Sequence, residues 1–209
     1  MIEPVPIRTG AVVLAAGLSS RMGTFKPLLP LGRSCVIRQV IEVIVCAGCI
    51  NPIVVVTGCN AELIAHALAG LPVSLAHNPD YAQGEMLSSV QTGLREIRPY
   101  VDAVFVLPAD QPLIRPETYR LLRNAWTMSM PLLAAPVFEG RRGHPIILSA
   151  RAIPEALALS WGDMLRSFTS AHASERLNVP VDDPGVTLDV DTPADYINAA
   201  ERARTFNKS

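Results

Sequence analysis

The sequence predicts a three-layer α/β/α fold around a mostly parallel sheet. Continuously apolar runs of strand length carry half of that prediction, because strands buried on both faces belong to parallel sheets. Amphipathic stretches between those runs carry the other half, since alternating strands and helices imply crossovers with helices on both faces. Gly10–Ala16 reads as the first buried strand. Residues 34–47 repeat Val36, Val40, Val43, Ile44 and Ala47 at helical spacing, and Gly48 supplies a helix stop. Ile53–Thr57 is a second buried strand, Asn60 stands where a cap is needed for a helix to about Leu68, and Pro72–Ala76 is a third strand. Met86–Ile97 reads as a helix, Ala103–Leu107 as a strand, and Pro116–Met128 as a helix. Leu132–Val137 and Pro145–Leu148 complete the strands, and the chain after about Arg204 reads as a frayed tail. No repeat or linker interrupts the 209 residues, so one domain is expected, with its core over about residues 10–204.

Composition narrows the function. The 18 basic and 19 acidic residues nearly cancel, whereas a nucleic-acid partner calls for a surplus of cations. No long apolar window is free of polar breaks, so no membrane span is expected. Arg8 followed by Gly10–Leu18 imitates a signal peptide, but Glu3 and Pro4 spoil the leading region. Cys46 and Cys49 have CxxC spacing with no matching second pair, and Cys35 and Cys59 are singletons. The pair reads as two small apolar residues at a helix end, and a chain without a disulfide framework suits the cytoplasm. Only two of the basic residues are lysines, Lys26 and Lys208, and Lys208 lies in the polar tail. Arginine-biased base composition explains the missing lysines; it does not explain the retention of Lys26, a compact charge of the kind used to bind phosphate.

Ligands of such sheets bind at the carboxyl ends of strands, and the chemically suggestive residues follow strands. After the first strand comes Leu14-Ala-Ala-Gly17-Leu-Ser-Ser-Arg21-Met-Gly23-Thr-Phe-Lys26. Small residues let the backbone approach a ligand, main-chain N–H groups cradle anionic oxygens, and Arg21 and Lys26 add charge. The loop is neither a dinucleotide fingerprint nor a Walker A loop. Asp110 ends an apolar strand in Leu107-Pro-Ala-Asp-Gln-Pro112, where a carboxylate either organises a turn or helps hold Mg²⁺. In Thr187-Leu-Asp189-Val-Asp191-Thr-Pro-Ala-Asp195, alternation puts Asp189 and Asp191 on one side of an expected short strand. Thr192 then reads as an N-cap with Pro193 at the first helical position. Ser88 and Ser89 open a helix after Asn78-Pro and Gly84, and His144 sits in the loop Arg141-Arg-Gly-His-Pro145.

The first of these segments resembles the LAAGxSxRMGxxK signature of the MobA-like nucleotidyltransferases, and within them the molybdenum cofactor cytidylyltransferase branch. Leu14, Ala15, Ala16, Gly17, Ser19, Arg21, Met22, Gly23 and Lys26 all fall in register. The resemblance implies a Rossmann-like, GT-A-like sheet of the nucleotide-diphospho-sugar transferase kind. It implies that the loop wraps the nucleotide's triphosphate, with Arg21 and Lys26 on the phosphates, and that Ser88 and Ser89 help bind nucleotide. It also implies that Asp110 and Asp191 hold Mg²⁺ and that His144 borders the pterin substrate. The implied reaction passes CMP from CTP to molybdopterin or the molybdenum cofactor, releases pyrophosphate, and serves a molybdenum hydroxylase apoenzyme. The text departs from the family at Glu85, between Gly84 and Met86, and at Gly162-Asp-Met-Leu-Arg166, where relatives carry GDxGAR. Ala16 favours CTP, where the guanylyltransferase branch carries glycine. Other readings remain at this stage: a guanylyltransferase or other nucleotidyltransferase of the same fold, a redox enzyme on a similar scaffold, and an accessory protein that binds finished cofactor without catalysis.

Overall fold

The computed structural model describes residues 6–17, 24–83, 86–160 and 165–206, with side chains to residue 203. The described chain runs β1 (Thr9–Ala15), β2 (Pro30–Leu31), β3 (Ser34–Cys35), α1 (Val36–Ala47), β4 (Ile53–Thr57), α2 (Ala61–Ala67), β5 (Ser74–His77) and α3 (Met86–Ile97). It continues through β6 (Ala103–Pro108), α4 (Pro116–Ser129), β7 (Leu133–Phe138), β8 (Arg141–Arg142), β9 (Ile146–Ser149), α5 (Ile153–Ala158), α6 (Leu165–Ala171), β10 (Arg176–Pro180) and α7 (Pro193–Phe206).

The main sheet has the order β10-β7-β9-β6-β1-β4-β5, with β8 on β7. β1 pairs in parallel with both β4 and β6, and β4 with β5 and β7 with β10 are also parallel. β9 runs antiparallel to both β6 and β7. The sheet is therefore mixed but mostly parallel, as the apolar runs predict. Chain order reverses at β1, with β4 on one side and β6 on the other, and such a switch opens a crevice at the carboxyl ends of β1 and β6.

Strand alternation divides the core. Ala11, Val13 and Ala15 of β1 join Ile53, Val55, Phe105 and Leu107 beneath α1 and α4. Val12 joins Val54, Val56, Val104 and Val106 beneath α3 and α5, against Val90, Leu94 and Ile153. A smaller cluster of Leu31, Val36, Leu113, Val190 and Ala199 docks α7. Gly93 keeps α3 against the sheet, since a Cβ there would lie 2.4 Å from Val12. Gly48 ends α1 in the left-handed region at φ 68°, returning its N–H to Val45 O. Thr192 and Asp195 form a reciprocal cap on α7: Asp195 Oδ2 accepts from Thr192 N and Oγ1, and Asp195 N donates to Thr192 Oγ1.

Three expectations are corrected. Asn60 precedes α2 but adopts φ 54° and its side chain makes no capping hydrogen bond. Asp189 and Asp191 lie in irregular chain rather than a strand, because the segment's backbone bonds elsewhere: Val190 N donates to Asp110 O at 2.9 Å. α7 extends to Phe206, past the expected fraying point. β8, α5, α6 and β10 have no counterpart in the sequence reading; the helices span fewer than two turns and β8 only two residues, too short for periodicity to register.

Asp183 is the buried fastening of this region, 2% exposed. It accepts from Arg115 N, Thr118 Oγ1 and Gly185 N, and lies 3.6 Å from Arg115 Nε. It ties the start of α4 to the segment that leads to Asp189. Asp183→Ala orphans three donors at once, and the expected loss is about 3–5 kcal/mol in urea unfolding. A loss below about 1 kcal/mol would refute this fastening.

Candidate active site

The crevice at the carboxyl ends of β1 and β6 gathers residues far apart in sequence. A cleft of about 120 Å³ is lined by Leu14, Ala15, Gly17, Lys26, Pro27, Ala109 and Asp110. Ala109 N donates to Leu14 O at 3.0 Å, so the turn carrying Asp110 continues the β1–β6 ladder. Ala16 is buried and its carbonyl accepts from Cys59 N. Gly17 is exposed, and none of the described residues lies within 4 Å of where its Cβ would be. Open space beside the main chain is what a loop approaching a ligand requires. Ser19, Arg21 and Gly23, expected to complete this loop, lie outside the described residues.

Lys26 opens a short 3₁₀ turn, Lys26–Leu28, and is buried. Its Nζ lies 2.5 Å from Asp191 Oδ1 and 3.8 Å from Asp110 Oδ2. The bond from Val190 N to Asp110 O sets Asp189 and Asp191 on either side of this contact. α7 is anchored to the same place, because Tyr196 Oη donates to Pro30 O at 2.6 Å. Gln111, 2% exposed, donates from Nε2 to Asp189 Oδ1. Sequence reasoning missed this bond; the only signal was a glutamine beside Asp110 in a turn.

Among the described residues, the Lys26 ammonium lies with the carboxylates of Asp110 and Asp191, and the charge of Asp189 also reaches Asp110. Burial, then the charge of Asp189, drive the Asp110 pKa up to about 6, against the lowering pull of Lys26. Asp110 Oδ1 is buried with no hydrogen-bond partner among the described residues. An orphaned carboxylate oxygen with two further carboxylates near it fits a divalent cation, which takes one or two protein carboxylates and completes its shell with phosphate and water. Among the described residues no group of three His, Cys, Asp or Glu side chains is arranged to hold a metal by itself. The donor set therefore suits a cation shared with a substrate.

On the opposite side of β1, Asn78 leaves β5 and is 1% exposed. Its Nδ2 donates to Ser88 Oγ at 2.9 Å and to Ser89 Oγ at 3.0 Å, while its Oδ1 accepts from Asp80 N. Both serines are thus fixed at the start of α3. Gly84, between them and Asn78, lies outside the described residues.

His144 is set apart from Lys26. It lines a cavity of about 470 Å³ with Gly143, Arg142, Met86 and Ile146. Burial lowers its pKa, while Asp189 is near enough to raise it, so this cavity borders the carboxylate cluster. His144 N donates to Val186 O, and Gly143 packs so closely on Val186 that a Cβ would lie 1.9 Å from its carbonyl oxygen. The four cysteines are free, with Cys46 in the last turn of α1 and Cys49 just beyond it.

The sequence matches the MobA-like NTP transferase domain over residues 11–177. The chain belongs to that family. The MobA-like chain is a nucleotidyltransferase and carries the family's mostly parallel sheet with flanking helices. It is 29% identical to the molybdenum cofactor cytidylyltransferase of Escherichia coli K12 over 91% of its own length and 95% of that protein's. Its fold matches a nucleotidyl transferase from Methanothermobacter with a TM-score of 0.82 and 24% identity, covering 95% of this chain and 99% of that one. It also matches Rv0371c of Mycobacterium tuberculosis H37Rv, solved as a complex with manganese, with a TM-score of 0.75 and 23% identity, covering 94% and 100%. Among the described residues of the MobA-like chain, no helix is long and apolar enough to cross a membrane.

Proposed function

We propose that this protein transfers CMP from CTP to a terminal phosphate of molybdopterin or the molybdenum cofactor, with release of pyrophosphate. The observation that carries the reading is the meeting of Lys26, Asp110 and Asp191 beside the open backbone of Gly17. Similarity to the Escherichia coli cytidylyltransferase over nearly the whole chain supports the choice of substrates.

An oxygen of the acceptor phosphate attacks the α-phosphorus in line. The bond from that phosphorus to the β-bridging oxygen breaks, and its electrons leave with pyrophosphate. The nucleophile is already an anion, so the protein's work is positioning and charge neutralisation. Leu14, Ala15, Ala16 and Gly17 hold the nucleotide against the sheet edge. Lys26, with Arg21, compensates the charge that grows on the leaving pyrophosphate. Asp110 and Asp191 would hold Mg²⁺, which when bound supplies further neutralisation of phosphate oxygens. Ser88 and Ser89 help to bind the nucleotide, and Asn78 sets their hydroxyls. His144 faces the acceptor and is assigned no proton transfer. One domain over about residues 10–204 contains both substrate sides, and a molybdenum hydroxylase apoprotein in the cytoplasm receives the product.

The deciding experiment measures pyrophosphate release from purified protein with Mg²⁺ and molybdenum-loaded molybdopterin, comparing CTP, GTP, ATP and UTP. Release with CTP alone is expected. Release with GTP instead would overturn the base and leave the reaction standing. Nucleotide binding with no release from any of the four would sink the acceptor assignment and favour a carrier. Asn78→Ala is expected to raise the KM for nucleotide about tenfold with a smaller effect on kcat, as is Ser89→Ala. An unchanged KM in both variants counts against these serines.

A further inference from the structure

The cavity beside His144 is lined by three arginines, Arg142, Arg166 and Arg176, and by no carboxylate among the described residues. Its other walls include Met86, Ile146 and Leu165. At about 470 Å³ it falls within the usual range of small-molecule sites. The side chains of Arg142 and Arg166 make no hydrogen bond or ion pair among the described residues, and both residues are exposed. Arg176 is held in place: Nη1 donates to Thr169 O at 2.8 Å and Nε to Asn178 Oδ1 at 3.2 Å. Burial lowers the Arg176 pKa, and the nearby positive charge of Arg142 lowers it further. Like charges gathered in a concave site with no counter-ion among the described residues suit an anionic ligand.

Strand register gives the cavity its direction. Ile146 pairs with Val106 of β6, two residues short of the strand's carboxyl end at Pro108. Arg176 pairs with Leu133, Leu133 with Leu148, and Leu148 with Val104. Arg176 is therefore rooted two residues, about 7 Å, further from the catalytic edge than Ile146. His144 stands at the edge end, within electrostatic reach of Asp189.

We propose that Arg142, Arg166 and Arg176 form an anion subsite that holds a negatively charged group of the acceptor remote from the phosphate that reacts. This rests on the reading of the protein as a nucleotidyltransferase with its acceptor beside His144. The acceptor class is thereby narrowed: a body with apolar surface, carrying one phosphate toward Asp110 and a second anionic centre toward Arg176. The arginines act on binding rather than on bond-making, because they line this cavity and none lines the cleft that holds Lys26 and Asp110.

Two measurements on the whole protein test the subsite. In the first, protein saturated with its tightest-binding nucleoside triphosphate and Mg²⁺ is titrated with inorganic phosphate by calorimetry. The wild type is expected to bind one further phosphate, the Arg142→Gln/Arg166→Gln double variant to bind it about tenfold or more weakly, and the Lys/Lys double variant to fall between. No further phosphate on the wild type, or equal binding by wild type and the Gln/Gln variant, would overturn the proposal. In the second, steady-state transfer to molybdopterin is expected to show an acceptor KM about tenfold or more higher in the Gln/Gln variant, with the nucleotide KM within about twofold. A fall in kcat with the acceptor KM unchanged would also overturn it. If the wild type transfers nothing to molybdopterin, the functional reading fails, and the phosphate titration still decides the subsite.

Discussion

Lys26→Ala is expected to lower kcat at least about tenfold while the folded state persists. The reason lies in where the ammonium sits. It is buried between Asp191 and Asp110 at the mouth of the β1–β6 crevice, where charge on a departing pyrophosphate would otherwise meet these carboxylates among the described residues. Water screens poorly there, as the upward shift of Asp110 to about 6 attests. Because Lys26 also balances that carboxylate cluster, a second variant separates chemistry from packing. Lys26→Met keeps the apolar stem and removes the charge, and it should lose turnover equally while unfolding within a few degrees of the wild type. The effect should fall on kcat more than on the KM for nucleotide, since the charge that Lys26 meets grows as the bond breaks. Wild-type turnover in either variant would remove Lys26 from the mechanism.

Gly143→Ala is expected to destabilise the protein by about 3 kcal/mol or more in urea unfolding. The added Cβ would lie 1.9 Å from Val186 O and 2.5 Å from Val186 C, both main-chain atoms that no rotamer change can move. Two backbone hydrogen bonds fix the approach, Gly143 N to Pro136 O and His144 N to Val186 O. The damage should spread, because residues 184–187 lead directly to Asp189 and Asp191. Protein that remains folded is therefore expected to lose nucleotidyl transfer as well. Gly185→Ala should act in the same direction, with its Cβ 2.2 Å from Leu113 O. An unfolding midpoint equal to the wild type's in both variants would show that this junction yields freely.

Some of this was legible without coordinates. The central strands could be read because each is an unbroken apolar run buried on both faces, a local property of the chain. The long helices could be read from the apolar spacing of α1, α3 and α4, and the α7 cap from Thr192, Pro193 and Asp195. Lys26 stood out because every other basic residue but one is arginine. Asp110 stood out because it ends a buried strand, and Asp191 because it precedes a cap.

What these residues do to one another was decided by tertiary structure alone. Lys26 and Asp191 are 165 positions apart, and the bonds from Val190 N to Asp110 O and from Gln111 Nε2 to Asp189 Oδ1 bring the second acidic segment onto the first. Asp189 and Asp191 face the cluster from irregular chain, so the strand expected from their alternation was the wrong cause of a useful juxtaposition. Gln111 and Asp183 carried little local signal, because their meaning lies in partners distant in sequence. A sequence fixes periodicity and chain punctuation through forces that act within a few residues. The balance of the Lys26 ammonium against Asp110 and Asp191 depends on distances and burial, and these exist only once the sheet has brought the strand ends together.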